Sequence, residues 1–154
     1  METSFKIADN SDREILMEFI REFCELDHHP FDDSTIRVAL TKILNDDALG
    51  RVWLIQDGTE AIGYIVLTFG YSLEYRGRDA FIDEFYIRES HRMQGVGTKT
   101  LQFVEGVCPS LEIQALHLEV ERENTRAQRL YRKVGFDQQD SYLMTKWTAK
   151  PAGK

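Results

Sequence analysis

A chain of 154 residues, 42% hydrophobic and 29% charged, with a formal net charge of −7, has the size of one domain and enough apolar material for its own core. The acidic balance argues against a phosphate-backbone partner, so no nucleic acid is expected, and it favours a cationic substrate. No apolar run approaches the roughly 20 residues that cross a bilayer, the first ten residues lack a secretion signal's apolar core, and Cys24 and Cys108 read as free thiols of a reducing cytoplasm.

Residues 4–8 read as a short first strand. Ser11 and Glu14 form an S-x-x-E capping box. The helix behind it carries Ile15, Leu16, Phe19, Ile20, Phe23 and Leu26 on one broad face. Pro30 disfavours helix at His29. Asp33 or Ser34 can cap a second helix that turns Ile36, Leu40, Ile43 and Leu44 inward. Residues 51–56 and 61–69 are strands around the hairpin signal Asp57-Gly58-Thr59-Glu60. Residues 71–79 are polar and aromatic, a loop pattern.

In residues 81–87, Phe81, Asp83, Phe85 and Ile87 alternate with Ile82, Glu84 and Tyr86, a strand. Polar residues 88–92 lead into Met93-Gln94-Gly95-Val96-Gly97-Thr98, which opens a helix with apolar Val96, Leu101, Val104 and Val107. Residues 115–120 are a strand candidate with Leu116, Leu118 and Val120 on one face. Asn124 is an N-cap candidate before the stripe Ala127, Leu130, Tyr131 and Val134. Gly135 occupies a left-handed C-cap position and Phe136 follows. Residues 141–147 set Tyr142, Met144 and Lys146 against Leu143, Thr145 and Trp147 and read as a final strand. A single domain spans 1–149, with 150–154 a loose tail. The order is β, α, α, β, β, β, α, β, α, β.

A strand that runs into a glycine-rich turn at a helix start is suited to phosphate. The first helical N–H groups lack partners, and the dipole places positive charge there. A Rossmann turn needs G-x-G-x-x-G, but Thr100 stands where the third glycine would be. A Walker A loop fits poorly because Thr98 separates Gly97 from Lys99 and no glycine stands five residues before Gly97, which leaves a nucleotide-binding enzyme using residues 95–100 as a lesser alternative. The remaining pattern is R-x-x-G-x-G, with Arg92, Gly95 and Gly97. It resembles the coenzyme A loop of the GNAT superfamily of N-acetyltransferases, and FIDEFYI resembles that family's central strand. ENTRAQRLYRKVGF resembles a second family signature, N-x-x-A-x-x-x-Y-x-x-x-G-F, matched by Asn124, Ala127, Tyr131, Gly135 and Phe136.

The resemblance implies an α/β (α+β) GNAT fold: a mixed, mostly antiparallel sheet of six to seven strands, splayed near its centre, with about four helices on both faces. It implies acetyl transfer from acetyl-CoA to an amine. The diphosphate would sit on amides of Met93, Gln94, Gly95, Val96, Gly97 and Thr98, beside Arg92. Phe85, Tyr86 and Ile87 would supply backbone contacts to the pantetheine arm, with Asn124 and Ala127 also at the cofactor. The family loop often has glycine directly after the arginine; Met93 stands there, tolerable unless that position needs positive φ. Tyr131 is carried over as general acid to the departing thiolate.

An alkylamine with a pKa near 10.4 must lose a proton before it attacks. Asp83 and Glu84 are the candidate bases. A regular strand sends them to opposite faces, so one at most lines a given cleft. The strand resembles that of spermidine/spermine acetyltransferases, which implies Asp83 as base through a water, with Glu84 the alternative. Glu25, Asp27, Asp32 and Asp33, with Tyr71, Glu74 and Tyr75, are expected to form an acidic, aromatic acceptor cleft for a small amine or a peptide amine. His28 and His29 project differently and lack a third ligand at recognisable spacing, so no metal site is expected. A non-catalytic acyl-CoA-binding module would keep the glycine loop without needing Tyr131 and a carboxylate. Residues 141–147 form an edge strand through which a homodimer can pair.

Overall fold

The computed structural model describes residues 1–149; the expected loose tail, 150–154, lies outside the described residues. A five-stranded sheet has the order β1 (Thr3–Ile7), β2 (Gly50–Asp57), β3 (Glu60–Ser72), β4 (Gly77–Ile87), β5 (Ile113–His117). Neighbours from β1 to β4 pair antiparallel, and β5 runs parallel to β4. Helices α1 (Arg13–Leu26) and α2 (Asp33–Leu44) cover one face; α3 (Val96–Val107) and α4 (Thr125–Lys133) cover the other.

Two covered faces explain why the middle strands are apolar almost without interruption. Val52, Leu54, Tyr64 and Val66 pack against Leu16, Phe19 and Ile20 of α1 and Leu40 of α2. The intervening Trp53, Ile65 and Leu67 pack with Leu101 and Val104 of α3. The β2–β3 hairpin pairs Asp57 with Glu60 and turns through Gly58 at φ 61°, the positive value that a glycine-first two-residue turn uses.

Five strands stand where six or seven were expected. Residues 141–147 form no strand, and Tyr142, Leu143, Met144 and Trp147 are exposed. Alternation can mark side chains for two faces, but a strand exists only where a neighbour accepts its hydrogen bonds. The supposed loop at 71–79 is mostly strand: Tyr71 pairs with Arg78 and Ser72 with Gly77, leaving only Leu73, Glu74, Tyr75 and Arg76 to turn. Cross-strand pairing there overrides the weak strand preference of its polar residues. β5 begins two residues early and ends at His117, so Leu118 and Val120 lie beyond it.

Helix boundaries also shift. The capping box is Asp9 with Asp12, not Ser11 with Glu14: Asp9 accepts from the Ser11 N–H, and Asp12 accepts from the Asp9 N–H at 3.0 Å. Asp32, not Asp33 or Ser34, occupies the N-cap of α2. Leu26 falls past the apolar face of α1 and is exposed.

Candidate active site

The site is built around an irregularity in β4. Val66 pairs with Glu84 but Leu67 pairs with Ile82, so Asp83 is an extra residue with no partner on β3. A bulge of this kind places two residues opposite one and resets the alternation. Ile82 and Phe85 therefore share the α3 side. Glu84 and Tyr86 face the α1 side, where the Tyr64 hydroxyl donates to Glu84 Oε1 at 2.7 Å. Asp83 acts electrostatically on both Tyr64 and Glu84. This corrects the expectation that Asp83 and Glu84 point to opposite faces: the bulge sets both on the α1 side of the sheet.

Burial raises the pKa of Glu84 above the ordinary carboxylate range. The Tyr64 hydrogen bond opposes that rise and the nearby Asp83 charge adds to it. Asp83 is open to solvent on one side, yet enough protein surrounds it that burial raises its pKa too. Burial pushes the Tyr64 phenol strongly upward, so it stays a donor. Two neighbouring carboxyls with raised affinity for protons suit the removal of a proton near neutral pH.

Beyond Phe81, paired with His117, β4 continues without β5 beside it. That free edge, 82–87, carries Phe85, Tyr86 and Ile87 and leads into the glycine-rich loop. Among the described residues, the N–H groups of Met93, Gln94, Gly95, Val96, Gly97 and Thr98 donate to no other backbone group; the first bond of the helix start is Lys99 N–H to Gly95 O at 3.1 Å. Gly95, the N-cap of α3, lies at φ 80°. Nothing lies within 4 Å of a Cβ built there. These unpaired amides at a helix N-terminus fit a diphosphate. Arg92 Nε donates to Ile87 O at 2.7 Å and its guanidinium lies 5.6 Å from the Tyr86 ring centre, which leaves its terminal N–H groups available beside the loop. Met93 sits at φ 63°, so the position does use positive φ, and the methionine tolerates it with its side chain exposed.

The second signature forms α4 and its two ends. Asn124 Oδ1 accepts from the Ala127 N–H at 3.1 Å, which makes Asn124 the N-cap and occupies the Ala127 amide. At the other end, Phe136 N–H bonds Tyr131 O and Gly135 N–H bonds Arg132 O, with Gly135 at φ 102°. This is a Schellman closure, whose accompanying apolar contact joins the third-last helical residue to the second residue beyond the cap. Here that contact is Tyr131 against Phe136, edge to face at 6.0 Å. Burial raises the Tyr131 pKa, so the phenol is protonated at neutral pH. The helix is held next to the loop: a Cβ on Gly97 would lie 3.0 Å from Leu130 Cδ2.

Residues 14–136 match the acetyltransferase (GNAT) family. The chain belongs to that family. The free amides of the 93–98 loop, at the N-terminus of α3, are groups suited to a phosphate ligand. Thialysine N-epsilon-acetyltransferase from Bos taurus is 32% identical over 78 residues, 51% of this chain and 45% of that protein. The aligned stretch thus spans less than half of that relative. An integron cassette protein from the mobile metagenome of Cole Harbour Salt Marsh shares the fold at TM-score 0.85, with 33% identity over 96% of this chain and 91% of that one. A predicted acetyltransferase from Clostridium acetobutylicum, solved with acetyl-CoA, superposes at TM-score 0.78 with 18% identity over 94% and 96% of the two chains.

Within this GNAT domain some of the expected acceptor residues carry local bonds of their own. Asp33 pairs with Arg37, Asp32 accepts from Ser34 and Thr35, and Tyr71 is 80% exposed. His28 and His29 close α1: His28, at φ 55°, and His29 donate N–H bonds to Glu25 O and Cys24 O. His29 nevertheless bears electrostatically on Glu84, so the end of α1 borders the carboxyls. Sequence reading missed the residues that hold this border. Arg88 bonds Glu18 and Glu22 of α1, each at 2.9 Å, and lies over Phe19. Glu22 also accepts from the Tyr86 hydroxyl at 2.8 Å, and Tyr86 is pushed up to about 12 by burial and then by that bond. Tyr64 was missed as well. Its signal is a polar-tipped ring in the aliphatic run Ile62-Gly63-Tyr64-Ile65-Val66-Leu67, since a buried phenol needs a partner.

Proposed function

We propose that the chain transfers an acetyl group from acetyl-CoA to a primary amine that arrives as a cation: a small polyamine-like amine, or a lysine or N-terminal amine of a peptide. The observation that carries this reading is the bulge, which gathers Asp83 and Glu84 on one face where β4 parts from β5. Carboxyls there attract an ammonium group and take its proton. The partly buried site strengthens that attraction relative to bulk water.

Acetyl-CoA supplies an activated acyl group with a good leaving group. The amides of 93–98 and the dipole of α3 hold its diphosphate. The free edge at Phe85, Tyr86 and Ile87 lines the arm that follows. Arg92 braces Ile87 O at the end of this path and stands beside the loop. Asn124 and Ala127 hold α4 in place, and Tyr131 donates a proton to the departing sulfur. Asp83, the solvent-open carboxyl, takes the ammonium proton through water, and Glu84 completes the pair with Tyr64 fixing its position.

Release of free CoA with spermidine, lysine, peptide N-termini and aminoglycosides tests the substrate class. Turnover confined to neutral or acidic amines would overturn the electrostatic argument. Asp83→Asn and Glu84→Gln test the base. The variant that removes the base loses the pH-dependent limb of kcat/KM, and retention of that limb in both removes the pair from the mechanism.

A further inference from the structure

One titratable pair on the same sheet face is unused so far. His117 Nε2 lies 3.0 Å from Asp79 Oδ2, both groups mostly buried. The imidazole is held edge-on to Tyr75, with ring centres 4.6 Å apart, and lies 5.0 Å from Phe81. His117 is the last residue of β5 paired to β4, opposite Phe81. Asp83 stands two residues further along β4, about 7 Å away at the rise of a strand. Asp79 and Phe81 flank Ala80, whose side chain joins the α3-side core, so both project to the face that holds Glu84.

We propose that His117, oriented by Asp79, is a proton relay that carries the acceptor's proton from Asp83 to solvent. The inference rests on the acetyl-transfer reading above. A carboxylate at Nε2 keeps a proton on that nitrogen and leaves the Nδ1 lone pair free to accept. Nδ1 has no hydrogen-bond partner among the described residues. Asp79 and Tyr75 are the titratable groups against the ring, with Asp83 and Glu84 next along the face.

In the step, one ammonium proton passes to the Asp83 carboxylate and through water to Nδ1, and the imidazolium releases it to bulk. The amine lone pair forms the N–C bond to the acetyl carbon as the C–S bond breaks. The second amine proton reaches the coenzyme sulfur by way of Tyr131, which ends protonated.

The test uses the whole chain with acetyl-CoA and spermidine, lysine and a peptide N-terminus as acceptors. His117→Ala is expected to lower kcat by about a hundredfold, at the lower end of the range of a proton-transfer group, with the KM for acetyl-CoA unchanged. Added imidazole restores the rate, which a purely structural role would not allow. His117→Gln keeps a polar side chain between the rings and decides the matter if the alanine variant does not fold. Long-range ¹H–¹⁵N spectra of the free protein are expected to show the Nε2–H tautomer, lost in Asp79→Asn. Wild-type kcat and pH profile in His117→Gln, or an Nδ1–H tautomer, overturns the relay while leaving acetyl transfer in place. A wild-type chain that acetylates none of these amines removes the underlying reading and the relay with it.

Discussion

Replacing Tyr64 with Phe removes one hydroxyl from a fully buried ring and leaves the ring's packing against Phe19 and Tyr86 in place. What is lost is the 2.7 Å bond to Glu84. A hydrogen bond to a charged partner contributes about 1.5–3 kcal/mol, whereas one between neutral groups contributes about 0.5–1.5 kcal/mol. The cost of Tyr64→Phe should therefore depend on whether Glu84 is ionised. The phenol holds the Glu84 pKa down, against burial; without it, the folded-state pKa rises further above the unfolded value. For an acid so shifted, stability is lost as pH rises through the folded pKa. The variant should be destabilised by about 1 kcal/mol at pH 5 and by about 2–3 kcal/mol at pH 8. For a domain of this size the difference corresponds to a few degrees in Tm, about 2–4 °C per kcal/mol. Urea titrations at the two pH values measure it directly. An equal loss at both would refute the idea that the phenol supports a carboxylate. The same variant discriminates between the two bases: the pH limb of kcat/KM moves upward if Glu84 is the base and stays put if Asp83 is.

Tyr131→Phe should lower kcat about 10²-fold or more while acetyl-CoA binding by calorimetry and Tm remain near wild type, because phenylalanine keeps the contact with Phe136; an unchanged kcat removes the phenol from the reaction. Met93→Gly relieves a left-handed side-chain conformation that costs about 1–2 kcal/mol, partly offset by the added freedom of glycine when unfolded; Tm should rise slightly with acetyl-CoA affinity within about twofold, and a fall in Tm would show that the loop needs this methionine. Gly135→Ala places a Cβ at φ 102° and should lower stability by about 1 kcal/mol or more, read by thermal melting; a neutral result would mean that the closure of α4 is not anchored there.

The layered fold was legible because its signals are periodic. The helix face from Leu16 to Ile20, the hairpin at Gly58 and the strand 81–87 follow from spacing alone. So does the closure of α4, because Asn124, Gly135 and Phe136 each carry a distinct backbone requirement. The relation between Asp83 and Glu84 was not legible. A bulge depends on how Leu67 and Val66 pair across the sheet, and alternation along one strand contains no record of that. Tyr71 to Arg78 pairing failed for the same reason. Arg88 and Glu22 are 66 positions apart, and charge on a helix surface does not name its partner. The local bonds of Asp32 to Thr35 and of Asp33 to Arg37 were likewise invisible, because acidic composition at 25–33 does not say which carboxylate caps a helix and which pairs.

Arg88 and Arg92 stand only four positions apart, yet one fastens the first helix and the other braces the carbonyl at which the central strand ends. In the proposed reading, the wall facing the amine and the cradle for the donor therefore meet at Tyr86, which bonds Glu22 and lies beneath the Arg92 guanidinium. Efforts to widen acceptor range by altering Glu18 or Glu22 would loosen that junction, and their first symptom would be weaker grip on the donor rather than a new choice of amine.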